Sequence, residues 1–228
     1  MEEDSKMARL LIGVTEDALS FPRAVLSFYS GFFEKVFHEP LSPSQTKSFE
    51  IKLPDDDWLN VKIFGYWAQT GVLRIKDLYD KYTIRLPSDT IIRADLLILG
   101  TKLHAPKFKN AVMHDLLDLL ERQYMFAADA EYIFANTTRG DSNIRQVVVD
   151  VIQSEGPLEL LEGVGSYRDG WFDSIAKGGE LMQACVMAGG LHNVDRDRHP
   201  SRIENRIKYM ENEEMEEREE GEGELGSW

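Results

Sequence analysis

Cysteine is almost absent from this chain of 228 residues, since Cys185 is its only thiol. One cysteine can form neither a disulfide within the chain nor a cysteine-rich zinc site, so packing must stabilise the fold. No window approaches the roughly 18 uncharged apolar residues that predict a membrane helix. The first six residues are acidic, where a secretory leader would be basic and then apolar. We therefore expect a cytoplasmic or nuclear protein with no membrane partner.

Basic side chains are also scarce, because 26 Lys and Arg residues accompany 40 Asp and Glu residues and give a formal charge of -14. Binding to nucleic acid depends on clustered Lys and Arg, so we expect no nucleic-acid partner. The acids concentrate between Glu211 and Glu224, and blocks of this kind usually stay solvated. We predict a largely disordered acidic tail over residues 191–228 and a flexible N-terminus over residues 1–6.

The remaining sequence has the composition of a folded protein, with 43% hydrophobic and 10% aromatic residues. Short apolar or alternating runs at Leu10–Val14 and Leu19–Phe21 predict a β-hairpin, and Phe49–Leu53 predicts a third strand. Apolar residues from Val25 to Phe37 recur every three or four positions, and Ser30-Gly31 divides them into two short helices. Strands followed by helical hairpins predict an α+β fold.

Helical signals dominate the rest of the chain. One of the three residues Asp55–Asp57 can cap a helix that ends at Gly71. A second helix can be capped by Ser88 or Asp89, and a third begins at Pro106. The segment Arg74–Pro87 has mixed signals and reads as a variable insertion. Residues 123–190 form an all-helical extension, with a glycine-rich linker at Gly163–Gly170 and one amphipathic helix over Trp171–Met187.

Several segments follow one another in an order that is typical of a known family. These are Phe21-Pro22-Arg23-Ala24-Val25-Leu26, Ser30-Gly31-Phe32-Phe33, Phe49–Leu53, Tyr66-Trp67-Ala68-Gln69-Thr70-Gly71, and Leu96–Leu103 before Pro106. Together they resemble the BTB/POZ pattern, although Pro22 and Arg23 stand where that family usually has His and Lys. Asn136–Arg145 is similar to a helical segment that follows the domain in many short fungal BTB proteins. The resemblance implies a BTB/POZ fold over residues 7–122, a short three-stranded sheet flanked by helical hairpins.

This resemblance also implies a function, that of a non-enzymatic protein-interaction module. Many BTB proteins act as adaptors that link a target to a cullin-type ubiquitin-ligase scaffold, partly through a hydrophobic-x-Glu triplet. Phe37-His38-Glu39 has those residue types, and we expect Phe37, His38, Glu39 and Leu41 to bind the partner. The alternative is a BTB module that binds or self-associates without a role in ubiquitin ligation. Six residues precede Met7, so we do not expect the swapped dimer of long-form BTB domains.

Other chemistry finds little support in the sequence. His192–His199 contains two His and two Asp residues that could bind a metal, but three nearby arginines would repel a cation. Cys185 and His192 could be a nucleophile and its base, yet an amphipathic helix explains this cysteine as a packing residue. No phosphate-binding loop, dinucleotide fingerprint or Gly-x-Ser-x-Gly motif is present. We predict no catalytic residues, no metal site and no cofactor.

Overall fold

The computed structural model describes residues 7–38, 49–82, 88–138, 142–155, 165–189 and 195–213, except for the side chains of 142, 165–169 and 175. Over these ranges the chain is α+β, as the sequence predicts, with one three-stranded mixed sheet and many helices. The helices of the first region pack on the sheet and on one another, and the helices after residue 123 extend that body.

The sheet consists of β1 (Met7–Ile12), β2 (Asp17–Pro22) and β3 (Phe49–Leu53), in the spatial order β2-β1-β3. β2 is antiparallel to β1, as expected for a hairpin, and β3 is parallel to β1. Along β1, Ala8, Leu10 and Ile12 are fully buried. Met7 to Leu10 alternate between exposed and buried, as in a sheet with one covered face, whereas Leu11 is buried as well as its neighbours.

Two short helices follow the hairpin, α1 (Arg23–Tyr29) and α2 (Gly31–His38), and Ser30 separates them as the sequence predicts. The buried Ser30 hydroxyl donates a hydrogen bond to the Leu103 carbonyl oxygen at 2.6 Å and accepts one from the Phe33 amide. The serine thus satisfies an amide at the start of α2 and ties this start to a distant part of the chain.

Helix α3 (Trp58–Thr70) begins at Asp57, whose carboxylate accepts hydrogen bonds from the Leu59 and Asn60 amides, and ends at Gly71 with φ of 71°. Among the three candidate aspartates, Asp57 is therefore the cap. The segment with mixed signals contains α4 (Ile75–Tyr82). Its buried Tyr79 donates a hydrogen bond to the Asn60 side chain at 2.9 Å.

Helices α5 (Asp89–Lys102) and α6 (Pro106–Leu120) form the predicted helical hairpin. Ser88 caps α5 by accepting a hydrogen bond from the Ile91 amide, and Pro106 is the first residue of α6. His104 lies in the connection with φ of 48°. The Gly31 and Phe32 amides donate to the His104 and Leu103 carbonyl oxygens, so this connection fixes the start of α2.

The extension contains α7 (Ala127–Asn136), α8 (Ser142–Glu155), α9 (Gly165–Lys177) and α10 (Glu180–Met187). The predicted single helix over Trp171–Met187 is divided in two, because Gly178 and Gly179 adopt φ of 70° and 93° and end α9. The predicted glycine-rich linker differs as well, since α9 already begins at Gly165.

The predicted tail differs most from the structure, because residues 195–213 are packed onto the body. They form a 3-10 turn at Arg196–Arg198, helix α11 (Ile203–Arg206) and a second 3-10 turn at Ile207–Tyr209. The Tyr209 side chain is only 1% exposed. Composition pointed to solvation, but one aromatic residue and several polar contacts outweigh the charge in this part of the tail.

Candidate partner-binding site

Phe37, the apolar residue of the predicted binding triplet, packs inward. It lies in the last turn of α2, where its ring stacks on Phe33 at 6.1 Å between centroids. It also meets the Phe49 ring of β3 edge-on at 5.6 Å. Half-buried rings in such contacts stabilise the fold that holds them. Phe37 therefore joins α2 to the sheet, and only part of its surface is open to a partner.

Arg23 completes this aromatic cluster. Its guanidinium lies 3.5 Å from the centre of the Phe49 ring and 4.9 Å from the centre of the Phe37 ring. A cation over an aromatic face is attracted by the electrons of the ring. Arg23 thus holds the Phe37 and Phe49 rings together.

The other predicted binding residues have different placements. His38 is the last residue of α2, and its side chain is exposed. Glu39 and Leu41 lie outside the residues that the structure describes. The structure therefore places two of the four predicted residues at one helix end, with His38 the more accessible of the two.

Beside His38 lies an open groove of about 400 Å³, which we call the Phe28 groove. It is lined by Phe28 and Tyr29 of α1, Glu34 and His38 of α2, and Pro106 and Lys107 of α6. The Phe28 side chain is 62% exposed, more than the other exposed phenylalanines Phe126 and Phe172 at 54% and 49%. Its ring meets Tyr29 edge-on at 4.7 Å.

The walls of the Phe28 groove are held in place by backbone contacts. The Gly31 amide donates a hydrogen bond to the His104 carbonyl oxygen at 3.0 Å, which draws α2 against the start of α6. A Cβ atom at Gly31 would lie 3.3 Å from the His104 Cβ atom, closer than most such contacts. Glycine at position 31 thus permits the close approach that forms the groove.

Charges of both signs surround the exposed Phe28 ring. The Lys107 ammonium lies 5.0 Å from the ring centre, and Glu34 and Glu213 provide carboxylates at the edges. Glu213 is held by a hydrogen bond of 3.0 Å from the Asn110 side chain. An accessible aromatic ring with a charged rim is typical of a protein-interaction surface. Phe28 was absent from the predicted partner-binding set, although its position off the buried helical stripe could have singled it out.

The thiol considered as a nucleophile is buried. Cys185 is 1% exposed within α10, and burial raises the pKa of its thiol to about 11. A thiol in this environment stays protonated near neutral pH and is a poor nucleophile. His192, its proposed base, lies outside the described residues. The geometry favours the packing role.

The described residues were also searched for a metal-binding cluster and for a helix that could cross a membrane. No group of three or more His, Cys, Asp or Glu side chains within the described ranges is arranged to hold a metal ion. In the same part of the chain, no helix is both long enough and apolar enough to cross a bilayer.

The chain was also compared with known proteins. No model of a known protein family matches it, and no curated protein sequence matches it significantly. The resemblance to BTB/POZ proteins therefore rests on the residues of this sequence and stays a prediction.

Proposed function

We propose that this chain is a protein-interaction module of the BTB/POZ type, and that it links a target protein to a cullin-type ubiquitin-ligase scaffold. The observation that supports this most is the order of elements over residues 7–122. A β-hairpin, two short helices, a strand that pairs with β1 and a helical hairpin follow one another as the resemblance implies. In this proposal the protein works in the cytoplasm or nucleus by binding and not by catalysis.

The scaffold would meet the surface around the end of α2. Phe37 supplies apolar area there, while His38 and the neighbouring Glu39 and Leu41 supply specific contacts. Phe37 is anchored by Phe33, Phe49 and Arg23, so it would present a rigid edge to the partner. Rigid aromatic groups bind with a small loss of conformational entropy, which favours their use as anchors.

A direct binding measurement tests this proposal. Purified chain and the purified N-terminal region of a cullin are mixed in a calorimeter, first unmutated and then with Glu39→Lys. We expect Glu39→Lys to weaken the complex by about 2 kcal/mol or more, the scale of an interface hot spot. Asp80→Lys is the matched control, because Asp80 is exposed on α4 and its replacement changes the charge equally. Equal affinities for these two variants would contradict the assigned surface.

A second candidate is a BTB module that binds or self-associates without any ubiquitin-ligase role. The observation in its favour is the packing of Phe37, which leaves Phe28 as the more accessible aromatic side chain in this area. Absence of cullin binding by the unmutated, folded chain would favour this candidate. Loss of another partner on Phe28→Ala would then identify the Phe28 groove as its docking site.

A further inference from the structure

Residues 203–213, which we call the Tyr209 segment, lie on α6 and α8 much as a bound peptide lies on a receptor. Tyr209 is inserted between these helices and is 1% exposed. Its hydroxyl donates a hydrogen bond of 2.6 Å to the Asp150 carboxylate, which is itself buried. Burial and this hydrogen bond raise the pKa of the Tyr209 hydroxyl, so it stays a donor.

The peptide backbone at Tyr209 and Glu211 is recognised by two side-chain amides, those of Asn110 and Asn143. Asn110 accepts a hydrogen bond of 2.7 Å from the Glu211 amide and donates one of 3.0 Å to the Glu211 carbonyl oxygen. Asn143 also donates to the Tyr209 carbonyl oxygen at 3.2 Å. Contacts to backbone groups do not depend on which side chain the peptide carries, so they can hold any peptide that adopts the backbone conformation of residues 209–211.

The carboxylate of Glu211 supplies a second specific contact. It accepts hydrogen bonds from the Lys109 ammonium at 2.5 Å and from the Asn143 side-chain amide at 3.2 Å. The Met210 side chain between the two contacts is partly exposed. The receptor surface therefore selects a tyrosine and an acidic residue separated by one position.

The fit around this pair is close. A space of only about 10 Å³ is left beside Tyr209 and Glu211, between α5, α6 and α8. That is room for one water molecule at most. Such complementarity is what a specific peptide site requires, and smaller or larger side chains than tyrosine would fit worse.

The apolar anchoring of the Tyr209 segment is nevertheless slight. Its two isoleucines, Ile203 and Ile207, are 85% and 77% exposed, so its apolar burial comes from Tyr209 and from the partly buried Met210. Arg206 adds an ion pair of 2.6 Å with Asp118, which is half exposed and therefore weak. An attachment made of one buried aromatic side chain, one partly buried methionine and polar contacts can be exchanged for an equivalent peptide more easily than a core helix can.

We propose that the surface formed by Lys109, Asn110, Asn143 and Asp150 is a binding site for peptides of the pattern Tyr-x-Glu, which the chain's own Tyr209-Met210-Glu211 fills until a partner protein with this pattern displaces it. The site adjoins the Phe28 groove, because Glu213 lines that groove and accepts a hydrogen bond from Asn110. Binding at this site does not depend on scaffold binding. Its recognition has three parts: a pocket that ends in the Asp150 carboxylate, an amide that pairs with the peptide backbone, and a lysine for the acid.

The experiment uses the full chain with Tyr209→Ala, which empties the pocket but keeps every receptor residue. A fluorescent synthetic peptide with the sequence of residues 205–213 is added, and its anisotropy is measured. We expect saturable binding to this variant and at least about tenfold weaker binding to the unmutated chain, because a tethered segment competes at millimolar effective concentration. Peptides with Tyr209→Ala or Glu211→Gln should bind at least about tenfold more weakly, the effect of losing a buried anchor or a charged hydrogen bond.

Three outcomes would overturn the proposal. One is a folded Tyr209→Ala chain that does not bind the peptide, and another is equal binding of the peptide with and without its tyrosine. The third is a dimer in sedimentation analysis that exchanges Tyr209 segments, since the occupant would then be a second copy. If Tyr209→Ala does not fold, Tyr209→Phe serves instead, because it removes the buried hydrogen bond to Asp150 and keeps the ring. Binding of the tyrosine peptide to Tyr209→Phe should exceed binding to the unmutated chain, and equal binding would contradict the proposal.

Discussion

The two halves of this molecule bury different kinds of side chain. In residues 7–122, the interior contains a connected group of rings: Phe64 meets Phe108 at 5.1 Å, Trp67 meets Phe108 at 5.2 Å, and Phe33 meets Phe64 at 6.4 Å. Stability in this region depends on filled volume, so the loss of a ring leaves a cavity that the neighbours close only in part.

The region from residue 123 to 213 depends more on matched polar groups. Helix α8 contributes small apolar residues together with buried Asp150, Gln153 and Ser154. Each has a partner: Asp150 accepts from Tyr209, Gln153 donates to the Ala188 carbonyl oxygen at 2.7 Å, and Ser154 donates to the Val151 carbonyl oxygen. Buried polar groups are costly when a partner is missing. We therefore expect residues 7–122 to tolerate the loss of a polar group better than the loss of a ring. We expect residues 123–213 to tolerate a small change of volume better than the loss of a buried hydrogen bond.

The largest expected effect concerns the aromatic interior. Phe33→Ala should lower the free energy of unfolding by about 3 to 5 kcal/mol, because Phe33 is fully buried against Phe37 and Phe64. Phe28→Ala is the matched control, since the same atoms are removed from an exposed position. Urea unfolding followed by circular dichroism measures both, and similar losses would show that the ring cluster is not the main source of stability.

The second prediction tests the polar region through Arg145, whose side chain is largely buried. It donates hydrogen bonds to the Thr137 hydroxyl and the Phe134 carbonyl oxygen at 2.9 Å each, and to Glu180 at 2.8 Å. Arg145→Met keeps most of the volume but leaves these acceptors without their donor. We expect a loss of about 2 to 3 kcal/mol, the scale of hydrogen bonds to a charged group. Arg122→Met is the control, because Arg122 is exposed. If Arg145→Met lowered the free energy of unfolding by less than Arg122→Met does, the dependence of residues 123–213 on matched polar groups would be contradicted.

The third prediction concerns the end of the polar region. Truncation before Asp195 removes Tyr209 and the contacts of Glu211, and we expect a loss of about 2 kcal/mol. For a chain of this size, that corresponds to a fall in melting temperature of roughly 4–8 °C. Truncation after Glu213 is the control and should change little, because the contacts of Tyr209 and Glu211 are retained. Equal melting temperatures for the two truncated chains would support the disordered tail that the composition predicts over residues 191–228.

The smallest effect is expected at the junction of the two regions and depends on pH. Tyr132 of α7 donates a hydrogen bond of 2.7 Å to Asp95 of α5, and burial together with this carboxylate raises the pKa of Tyr132 from 10.0 to about 12. The folded state thus retains a proton that the unfolded state loses above about pH 10. The stabilisation should be complete below that pH and lost as the pH rises through about 12.

Melting curves of the unmutated chain and Tyr132→Phe at about pH 8 and pH 12 check this prediction. At about pH 8 the unmutated chain should have a higher melting temperature than Tyr132→Phe. At about pH 12 this difference between the two proteins should disappear. Tyr124→Phe controls for the general effect of alkali, because the Tyr124 side chain is 54% exposed. A difference that persists at the higher pH would show that the Tyr132–Asp95 pair is not responsible.

Sequence periodicity was informative where apolar residues are many and regularly spaced. The three strands, the division at Ser30 and the helical hairpin beginning at Pro106 were predicted, because each has several apolar residues or a specific breaker. Helix α4 was missed, since its burial depends mainly on Ile75 and Tyr79 in a charged segment. The packing of Tyr209 was missed for a related reason, because its hydrogen-bond partners Asp150 and Asn143 are distant in sequence and carry no local signal.

The candidate site shows a similar limit. Helical spacing placed Phe37 at the end of an apolar stripe, and the inward contacts of its ring agree with that pattern. The groove beside it could not be predicted, because it requires α1, α2 and the start of α6 to meet. The packing of α1 on α6, together with the approach of Gly31 to His104, brings Phe28 and Lys107 to the same surface.

The parallel pairing of β1 with β3 also affects how the chain acquires its structure during synthesis. β1 and β2 can pair as soon as both have left the ribosome, since only a tight turn separates them. Ala8 and Phe49, by contrast, are partners across about 40 residues, so the sheet cannot be completed until α1 and α2 have emerged. Closing so long a loop is slow compared with forming a hairpin. Until then, one edge of β1 is unpaired and available to chaperones.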